Sequence, residues 1–288
     1  MSTPTTFNMH YTCAISLGGT MNYFTSLFVA VLVVCTAGAS AQTVEEIVEK
    51  SNHAAYYQDT DGSARVAMTI TDSLARTRNR TFTILRRDVP GSDPADDAHC
   101  EDQKYYVYFH LPADVNEMVF LVWKHVLQDD DRWLYLPALD LVKRISATEK
   151  RTSFVGSDFY YEDVSGRNIN DDIHELISTD ATYYVVKNTP KNQDTVEFAY
   201  YTAWIHTKTF LTIKVAYIDK KGEKYREYTA LKVDTIQGYP TVTKAQMKNL
   251  RTGSSTVLEY SAVKYHIDVP DNIFTERYLR RPPTKYLR

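Results

Sequence analysis

The chain has 288 residues, 43% of them hydrophobic, and a formal net charge of −3 at pH 7. This length and apolar content are sufficient for one large domain with a substantial buried core. The slight negative charge argues against nucleic-acid binding, which favours a basic domain.

The first 41 residues are typical of a secretory signal peptide. They contain no Asp, Glu, Lys or Arg, and their apolar run, Leu27 to Val34, is followed by small residues. Ala39-Ser40-Ala41 supplies the small residues that signal peptidase requires, so we expect cleavage before Gln42. The apolar run is too short for a membrane anchor, since a spanning helix needs about 20 apolar residues. Residues 42–288 are therefore predicted to form the functional domain.

Two alternatives accompany the predicted leader. Its apolar run lies far from the first residue and no positive charge precedes it, so Met21 is an alternative start. Leu32 to Cys35 also has the form of a lipobox, which would direct lipidation to Cys35. However, Val34 stands where that motif has a small residue.

The cysteines are separated by the predicted cleavage. Cys13 and Cys35 lie in the leader, which leaves Cys100 alone in residues 42–288. No internal disulfide is then expected, even in an oxidising compartment. Acidic neighbours would raise the pKa of the Cys100 thiol, which indicates an unreactive side chain.

A helix is predicted directly after the leader. Thr43 and Glu46 have capping-box spacing, and apolar residues recur at helical intervals from Val44 onwards. We expect one amphipathic helix from about Val44 to Tyr57. A turn at 59–63 follows, and the apolar period then changes from that of a helix to that of a strand.

Most of the remaining chain has strand patterns. The predicted strands are residues 66–70, 82–84, 104–110, 118–126, 132–136, 183–188, 195–206, 209–219, 224–235, 241–250 and 254–266. Turns that contain Gly222, Gly238 and Gly253 separate the last four, and glycine permits the positive φ of tight hairpins. We predict a mainly β (α+β) fold with a single curved antiparallel sheet. The sheet forms an open half-barrel of about eleven strands, with helices covering its concave face.

Two segments interrupt the strand pattern, and a third ends it. Residues 88–102 contain proline, glycine and several acids, and are predicted to form a solvated loop. Residues 147–179 have no clean period, and excursions of that length are usually lids or interaction elements. Residues 270–274 are predicted to form a short closing helix or turn, with Phe274 and Leu279 as packing residues.

The sequence carries no motif of a catalytic or metal site. It has no Gly-x-Ser-x-Gly, phosphate loop, His-Glu-x-x-His or cysteine pair. Glu162 and Asp163 are adjacent, and adjacent residues of a strand point to opposite faces. Asp171-Asp172 is more typical of a helix start than of a cation site. We therefore predict no enzyme activity, no catalytic residue, no metal and no cofactor.

The middle of the chain carries a specific combination of aromatic, basic and acidic residues. It consists of Trp133 to Pro137, the basic residues Lys143, Arg144 and Arg151, and the segment Ser153 to Asp163. Further matches downstream are Trp204-Ile205, Tyr239-Pro240, Gly253 with Thr256, and Val269 to Thr275. Together these residues resemble the bacterial outer-membrane lipoprotein-sorting protein family, the LolA-like group. One departure is His206, where that family often has Asp.

The resemblance implies a half-open β-barrel that binds acyl chains on its concave side. The expected protein is a periplasmic carrier that moves a lipoprotein or lipid between envelope membranes, with an inner-membrane transporter of the RND superfamily as a partner. The alternative is an envelope-stress sensor, a regulatory binding protein of the same fold. The expected location is the periplasm, and association with the outer membrane is an alternative.

Candidate site residues come from the aromatic strands and from residues 147–179, the predicted lid, in which Gly156 and Gly166 are candidate hinges. Aromatic side chains with a polar tip suit a boundary between apolar and wet surroundings. The candidate lipid contacts are Phe82, Ile84, Phe120, Trp133, Tyr135, Phe154, Phe159 and Tyr160. The candidate contacts with a lipid headgroup or an acidic partner are Lys143, Arg144 and Arg151.

Overall fold

The computed structural model describes residues 42–89 and 102–287. The predicted leader, the three cysteines and most of the predicted acidic loop lie outside these residues. The helices of the described part are α1 (Val44–Tyr56), α2 (Tyr161–Ser165) and α3 (Arg277–Arg280). Its strands are β1 (Asp61–Thr71), β2 (Thr77–Asp88), β3 (Gln103–Leu111), β4 (Val119–Lys124), β5 (Asp131–Leu136), β6 (Leu141–Arg144), β7 (Asp172–Thr179), β8 (Tyr183–Pro190), β9 (Phe198–His206), β10 (Thr212–Asp219), β11 (Lys224–Ile236), β12 (Tyr239–Asn249) and β13 (Ser254–Tyr265).

Helix α1 begins at the predicted capping box. The Thr43 hydroxyl accepts a hydrogen bond from the Glu46 backbone N–H, and the Glu46 carboxylate accepts one from the Thr43 N–H, both at 3.2 Å. These two bonds satisfy donors that a helix start otherwise leaves without partners. The buried face consists of Ile47, Val48 and Ser51, at helical spacing.

All strands form one antiparallel sheet in which the first and last strands of the chain meet in the middle. The order is β6-β5-β4-β3-β2-β1-β13-β12-β11-β10-β9-β8-β7. The β1–β13 pairing brings Val66 opposite Tyr260 and Met68 opposite Leu258. The two edges, β6 and β7, come from the middle of the chain, and residues 145–171 connect them. We call residues 145–171 the crossing segment.

The sheet has thirteen strands rather than about eleven, and the two that the sequence patterns missed are its edges. Strand β6 has only four residues, and none of them is buried. Strand β7 is mostly exposed, and its apolar residues Ile173, Leu176 and Ile177 do not alternate. An edge strand with few buried side chains lacks the period on which strand prediction depends. The predicted irregular excursion therefore ends at Asp171 instead of Thr179.

One face of the sheet, the inner face, is covered by α1 and by the crossing segment. The crossing segment packs Ile145, Phe154, Phe159 and Tyr161 against inner-face side chains of β1–β5. Helix α1 packs its buried residues against β8, β9 and β10. The prediction that helices cover this face is therefore only partly right, because α2 has five residues and most of the crossing segment is irregular.

Contacts of α1 with two distant strands show that the sheet curves around it. Ser51 shares a 2.9 Å hydrogen bond with Thr212 of β10. The carbonyl of Tyr56, the last residue of α1, accepts hydrogen bonds from Arg86 of β2 and, at 2.8 Å, from Gln103. Four strands lie between β2 and β10 in the sheet. A short helix can reach both only if the sheet bends around it, as in the predicted half-barrel.

The C-terminal residues cover the opposite face, the outer face. Val269, Ile273, Phe274, Leu279 and Leu287 pack against outer-face side chains of β2–β5. Phe274 and Leu279 are completely buried, which confirms their predicted packing role. The predicted closing helix is a single 3₁₀ turn at Asp271–Ile273, and α3 follows it.

Gly166 is the point at which the crossing segment and the end of α1 meet. It has φ +79° and ψ 151°, a region that is essentially restricted to glycine. A Cβ atom at this position would lie 2.5 Å from Cζ of Tyr56, well inside van der Waals contact. Glycine is therefore required both by the backbone conformation and by the Tyr56 ring.

We expect Gly166→Ala to lower the free energy of unfolding by about 3 kcal/mol, since strained backbone and overpacking add. Gly222→Ala is the control, because Gly222 has φ +86° but no atom within 4 Å of the added Cβ. That control should cost about 1 kcal/mol. Urea unfolding of both variants measures the difference. Equal losses would show that Tyr56 does not constrain position 166.

Candidate functional site

A cavity of about 430 Å³ lies between α1, the inner face of the sheet and the crossing segment. This volume falls within the range of roughly 300–1,000 Å³ that is common for small-molecule sites. The surface of the cavity is mostly apolar. Its apolar lining includes Val48, Met68, Phe82, Ile84, Val107, Phe154, Phe159, Ala203, Ile205, Val215, Met247 and Leu258.

Charged side chains of the crossing segment form one end of the cavity. Arg151, Asp163 and Arg167 reach it from the crossing segment, and Tyr201 and Tyr217 reach it from the sheet. The guanidinium of Arg151 donates two hydrogen bonds to the Glu197 carboxylate, at 2.7 and 2.8 Å. The charges at this end are therefore engaged with protein partners.

Glu162 is the centre of this charged cluster. Its carboxylate accepts from Arg151 at 2.6 Å and lies 3.4 Å from an Arg167 nitrogen and 3.5 Å from Lys150 Nζ. Arg167 also pairs with Asp172, the first residue of β7, at 2.8 Å. The cluster thus links different parts of the crossing segment to one another and links that segment to the start of β7.

Aromatic rings surround the arginines of the cluster. Arg226 of β11 pairs with Asp163 and lies over the Tyr160 ring, 3.9 Å from its centre. Arg151 lies 4.8 Å from the centre of the Phe198 ring. Cation–π contacts of this kind strengthen when water is excluded. They replace part of the hydration that these buried guanidinium groups lose.

Glu162 and Asp163 lie on helix α2 and not on a strand, so the assumption of a strand at these residues is wrong. They still diverge, because successive residues of a helix point about 100° apart. Glu162 faces Arg151 and Arg167, whereas Asp163 faces Arg226. The two carboxylates do not form a shared site.

The tip of the crossing segment is a loop stabilised by its own hydroxyl groups. Ser153 donates to the Ser157 carbonyl at 2.6 Å, and Ser157 donates to the Phe154 carbonyl at 2.7 Å. These bonds shape the loop that places Phe154 and Phe159 against the cavity. They also explain why the family-like segment has serine at both positions.

Asp158 attaches that loop to the hairpin between β12 and β13. Its backbone N–H donates to the Thr256 hydroxyl at 2.9 Å, and that hydroxyl donates to the Asp158 carboxylate at 2.7 Å. Ser254 donates to the other carboxylate oxygen. Two motifs that are 98 residues apart in the sequence are therefore directly bonded.

The predicted lipid contacts are distributed over both faces of the sheet. Phe82, Ile84, Phe154 and Phe159 line the cavity. Phe120 lies behind them in the core, with its ring centre 5.4 Å from that of Phe154.

Trp133 and Tyr135 lie on the outer face. Trp133 packs edge-on against Trp123 and belongs to the cluster formed by the C-terminal residues. The Tyr135 hydroxyl donates to Asp140 at 3.3 Å. The structure therefore does not bring these two residues to the cavity.

The residues predicted to contact a lipid headgroup lie in different parts of the structure. Lys143 and Arg144 are exposed on the edge strand β6, where they pair with Glu149 and Asp131. Arg151 is buried and reaches the cavity end described above. The three basic residues do not form one patch.

Several site residues have no clear signal in the sequence. Arg226 and Asp163 are 63 residues apart, so no local pattern connects them. Tyr217, Tyr228 and Tyr260 also line the cavity. Period-2 alternation places Tyr217 on the same face as Val215, but only the folded sheet shows that this face is the inner one.

Within residues 42–89 and 102–287, no group of His, Cys, Asp and Glu side chains is arranged to hold a metal ion. In the same part of the chain, none of the helices has the length and apolar character needed to cross a membrane.

The acidity of Glu162 provides a test of the charged cluster. Burial raises the pKa of this carboxyl, but Arg151, Arg167 and Lys150 outweigh burial and lower it to about 2. A pKa below the ordinary 4.5 means that ionised Glu162 stabilises the folded state above about pH 4.5. That stabilisation is lost as the pH falls towards 2.

We expect Glu162→Gln to lower the free energy of unfolding at pH 7 by about 3 kcal/mol, because it leaves buried guanidinium groups without a partner. The difference in the free energy of unfolding between the variant and the wild type should disappear as the pH falls from 4.5 to 2. Urea unfolding across this pH range measures it, with exposed Glu175 changed to Gln as the control. A gap that stays constant down to pH 2 would contradict the assigned pairing.

Solved structures share this fold. A DUF1329 family protein from Desulfovibrio piger is 26% identical, with 83% of this chain and 100% of that one covered and a TM-score of 0.73. A putative outer membrane lipoprotein-sorting protein domain from Vibrio parahaemolyticus is 25% identical, with 82% and 97% covered and a TM-score of 0.73. A LolA superfamily protein from Nitrosomonas europaea shows the same fold at 23% identity, with 83% and 100% covered and a TM-score of 0.62. None of the curated proteins matches this sequence.

A protein-family model, described as an uncharacterized protein, matches residues 101–281. The match covers more than half of the chain and includes the crossing segment and the β12–β13 hairpin that holds it. The family-like motifs identified in the sequence all lie within it. The chain belongs to the family of this model, and it shares its fold with the DUF1329 family protein, the putative outer membrane lipoprotein-sorting protein domain and the LolA superfamily protein.

Proposed function

We propose that this protein is a carrier that binds the acyl chains of a lipid or lipoprotein and moves that cargo between membranes of the bacterial envelope. The observation that carries the proposal is the apolar cavity between α1 and the inner face of the sheet. The likeness to a putative lipoprotein-sorting domain supports the same function.

The chemistry of the cavity favours an apolar cargo. Burying one methylene group is worth about 0.8 kcal/mol, so an acyl chain gains affinity from every carbon that leaves water. Arg151 and Arg167, the arginines at the charged end, are paired with carboxylates. An ionic ligand at that end would have to displace those pairs, whereas a hydrocarbon chain only has to fill the apolar volume.

The crossing segment, which contains most of the predicted lid at residues 147–179, is the lid in this proposal. To move, it would have to release the pairs of Glu162 and the bonds of Asp158 to the β12–β13 hairpin. Gly156, at φ +76°, stays a candidate hinge. Gly166 is a less suitable hinge, because its position is also set by contact with Tyr56.

The cellular setting is part of the proposal. The uncharged leader with its Ala39-Ser40-Ala41 site supports export to the periplasm. The sequence has no nucleotide-binding motif, so energy for directional transfer would come from a partner. Two partners are proposed. One is an inner-membrane transporter of the RND superfamily, and the other is the lipid or lipoprotein cargo.

Filling the cavity should prevent lipid binding. Ala203 of β9 lines the cavity, and Ala203→Phe adds a phenyl ring with the volume of roughly four methylene groups, each of which is worth about 0.8 kcal/mol to a bound chain. We expect uptake of a fluorescent fatty acid to fall at least about tenfold. Mass spectrometry of lipid extracted from the protein, purified from the envelope of an expressing bacterium, should show the same loss.

Thr202→Phe is the matched control, because neighbouring residues of a strand point to opposite faces. Thr202 does not line the cavity, so this variant should keep its lipid. A wild-type protein that is purified without lipid and takes up no fatty acid would reject the carrier function. Equal uptake by the two variants would reject the cavity as the binding site.

The leader can be tested independently. We expect the protein purified from the envelope to have the mass of residues 42–288, because cleavage falls before Gln42. Intact-mass spectrometry measures this. A protein that begins at Cys35 with added lipid mass would establish the lipobox instead, and retention of residues 1–41 would exclude processing.

A further inference from the structure

Four tyrosines of the cavity wall have hydroxyl groups without a hydrogen-bond partner in the described part of the chain. Tyr56 lies on α1, Tyr217 on β10, Tyr228 on β11 and Tyr260 on β13, and all four line the cavity. Among residues 42–89 and 102–287, no hydrogen bond uses any of these hydroxyl groups. None of the four oxygens is fully enclosed by protein atoms, so each faces open space.

The pairing of the strands shows that the side chains of Tyr228 and Tyr260 belong to the inner face. Tyr228 lies opposite Val215 on one side and opposite Met247 on the other, and both of these residues line the cavity. Tyr260 lies opposite Val66 and two residues after Leu258. Directly opposite residues in an antiparallel pair point to the same face.

The four hydroxyl groups stay protonated and act as donors. Burial raises the pKa of Tyr217 and of Tyr260 to about 12. Burial also raises the pKa of Tyr228, and repulsion from ionised Tyr260 and Tyr217 would raise it further. Burial and electrostatic repulsion also raise the pKa of Tyr56, and Asp163 contributes most of that repulsion.

A hydrogen-bond donor that has no partner in an apolar cavity makes the cavity bind some ligands better than others. Leaving a buried polar group unpaired is unfavourable, so a ligand that supplies an acceptor binds better than one that does not. A neutral acceptor suits this position, because moving a charged group into apolar surroundings is far more costly. Hydrocarbon chains have no acceptor at all.

We propose that these tyrosines recognise the carbonyl oxygens of acyl linkages, so that the cavity selects lipids with ester- or amide-linked chains over lipids with plain alkyl chains. This inference rests on the proposed carrier function and names the class of its cargo. The tyrosine hydroxyls donate to the carbonyl groups, while the apolar walls around them hold the chains.

Paired lipids that differ only at the linkage test this preference. The full chain is expressed, purified from the envelope and stripped of lipid, and its affinity is measured for dipalmitoyl phosphatidylglycerol and for the dihexadecyl ether of the same headgroup. Displacement of a fluorescent fatty acid gives both values. We expect the ester lipid to bind about tenfold more tightly, the effect of one or two hydrogen bonds.

The double variant Tyr228→Phe, Tyr260→Phe removes two donors and keeps both rings. We expect its affinities for the ester and ether lipids to become equal through weaker binding of the ester, with thermal stability unchanged. Tyr278→Phe is the control, because Tyr278 packs on the outer face. This control should keep the preference for the ester.

The outcomes separate the two proposals. Equal binding of ester and ether lipids by the wild type, or an undiminished preference in the double variant, would overturn the linkage inference and leave the carrier function in place. Failure of the wild type to bind either lipid would overturn both. A diacylated lipopeptide and its dialkyl analogue, used in the same way, show whether the carbonyl groups of a lipoprotein or of a phospholipid are preferred.

Discussion

The buried pairing of Glu162 with Arg151 and Arg167 is the interaction on which the architecture of the site depends. It holds the crossing segment over the inner face, while the apolar tip of that segment packs against β1–β5. Taking these charges out of water is costly, and only good geometry with several partners compensates for that cost. Glu197 and Asp172 provide the additional partners. The cluster therefore determines where one wall of the cavity lies.

The cavity exists because two elements divide the inner face between them and leave a space. The crossing segment covers one part of the sheet and α1 covers another. The contact between Tyr56 and Gly166 joins these two elements. A close-packed protein interior normally has few voids larger than a water molecule. An apolar space of about 430 Å³ inside such a structure is therefore a specific feature of the fold. Its tyrosine hydroxyls provide donors within that apolar space.

Much of the fold could be predicted from local patterns. The capping box at Thr43 and Glu46, the alternation in the inner strands and the glycines of the hairpins each depend on residues close in sequence. Strands β6 and β7 were missed because an exposed edge strand has little buried surface to impose a period. The aromatic candidates were identified as a set, but alternation alone could not assign Trp133 to the outer face and Phe82 to the cavity.

The sequence by itself determined the strand-rich class of the fold, the helix at its start and the family-like motifs, because these reside in periods, turns and short spacings. Only the tertiary structure decided which motifs meet: Asp158 with Thr256, Asp163 with Arg226, and Tyr56 with Gly166. Each of these contacts joins residues that are distant in sequence, and their closeness follows from the curvature and the strand order of the sheet. The same geometry gathers Tyr217, Tyr228 and Tyr260 from separate strands onto one cavity wall.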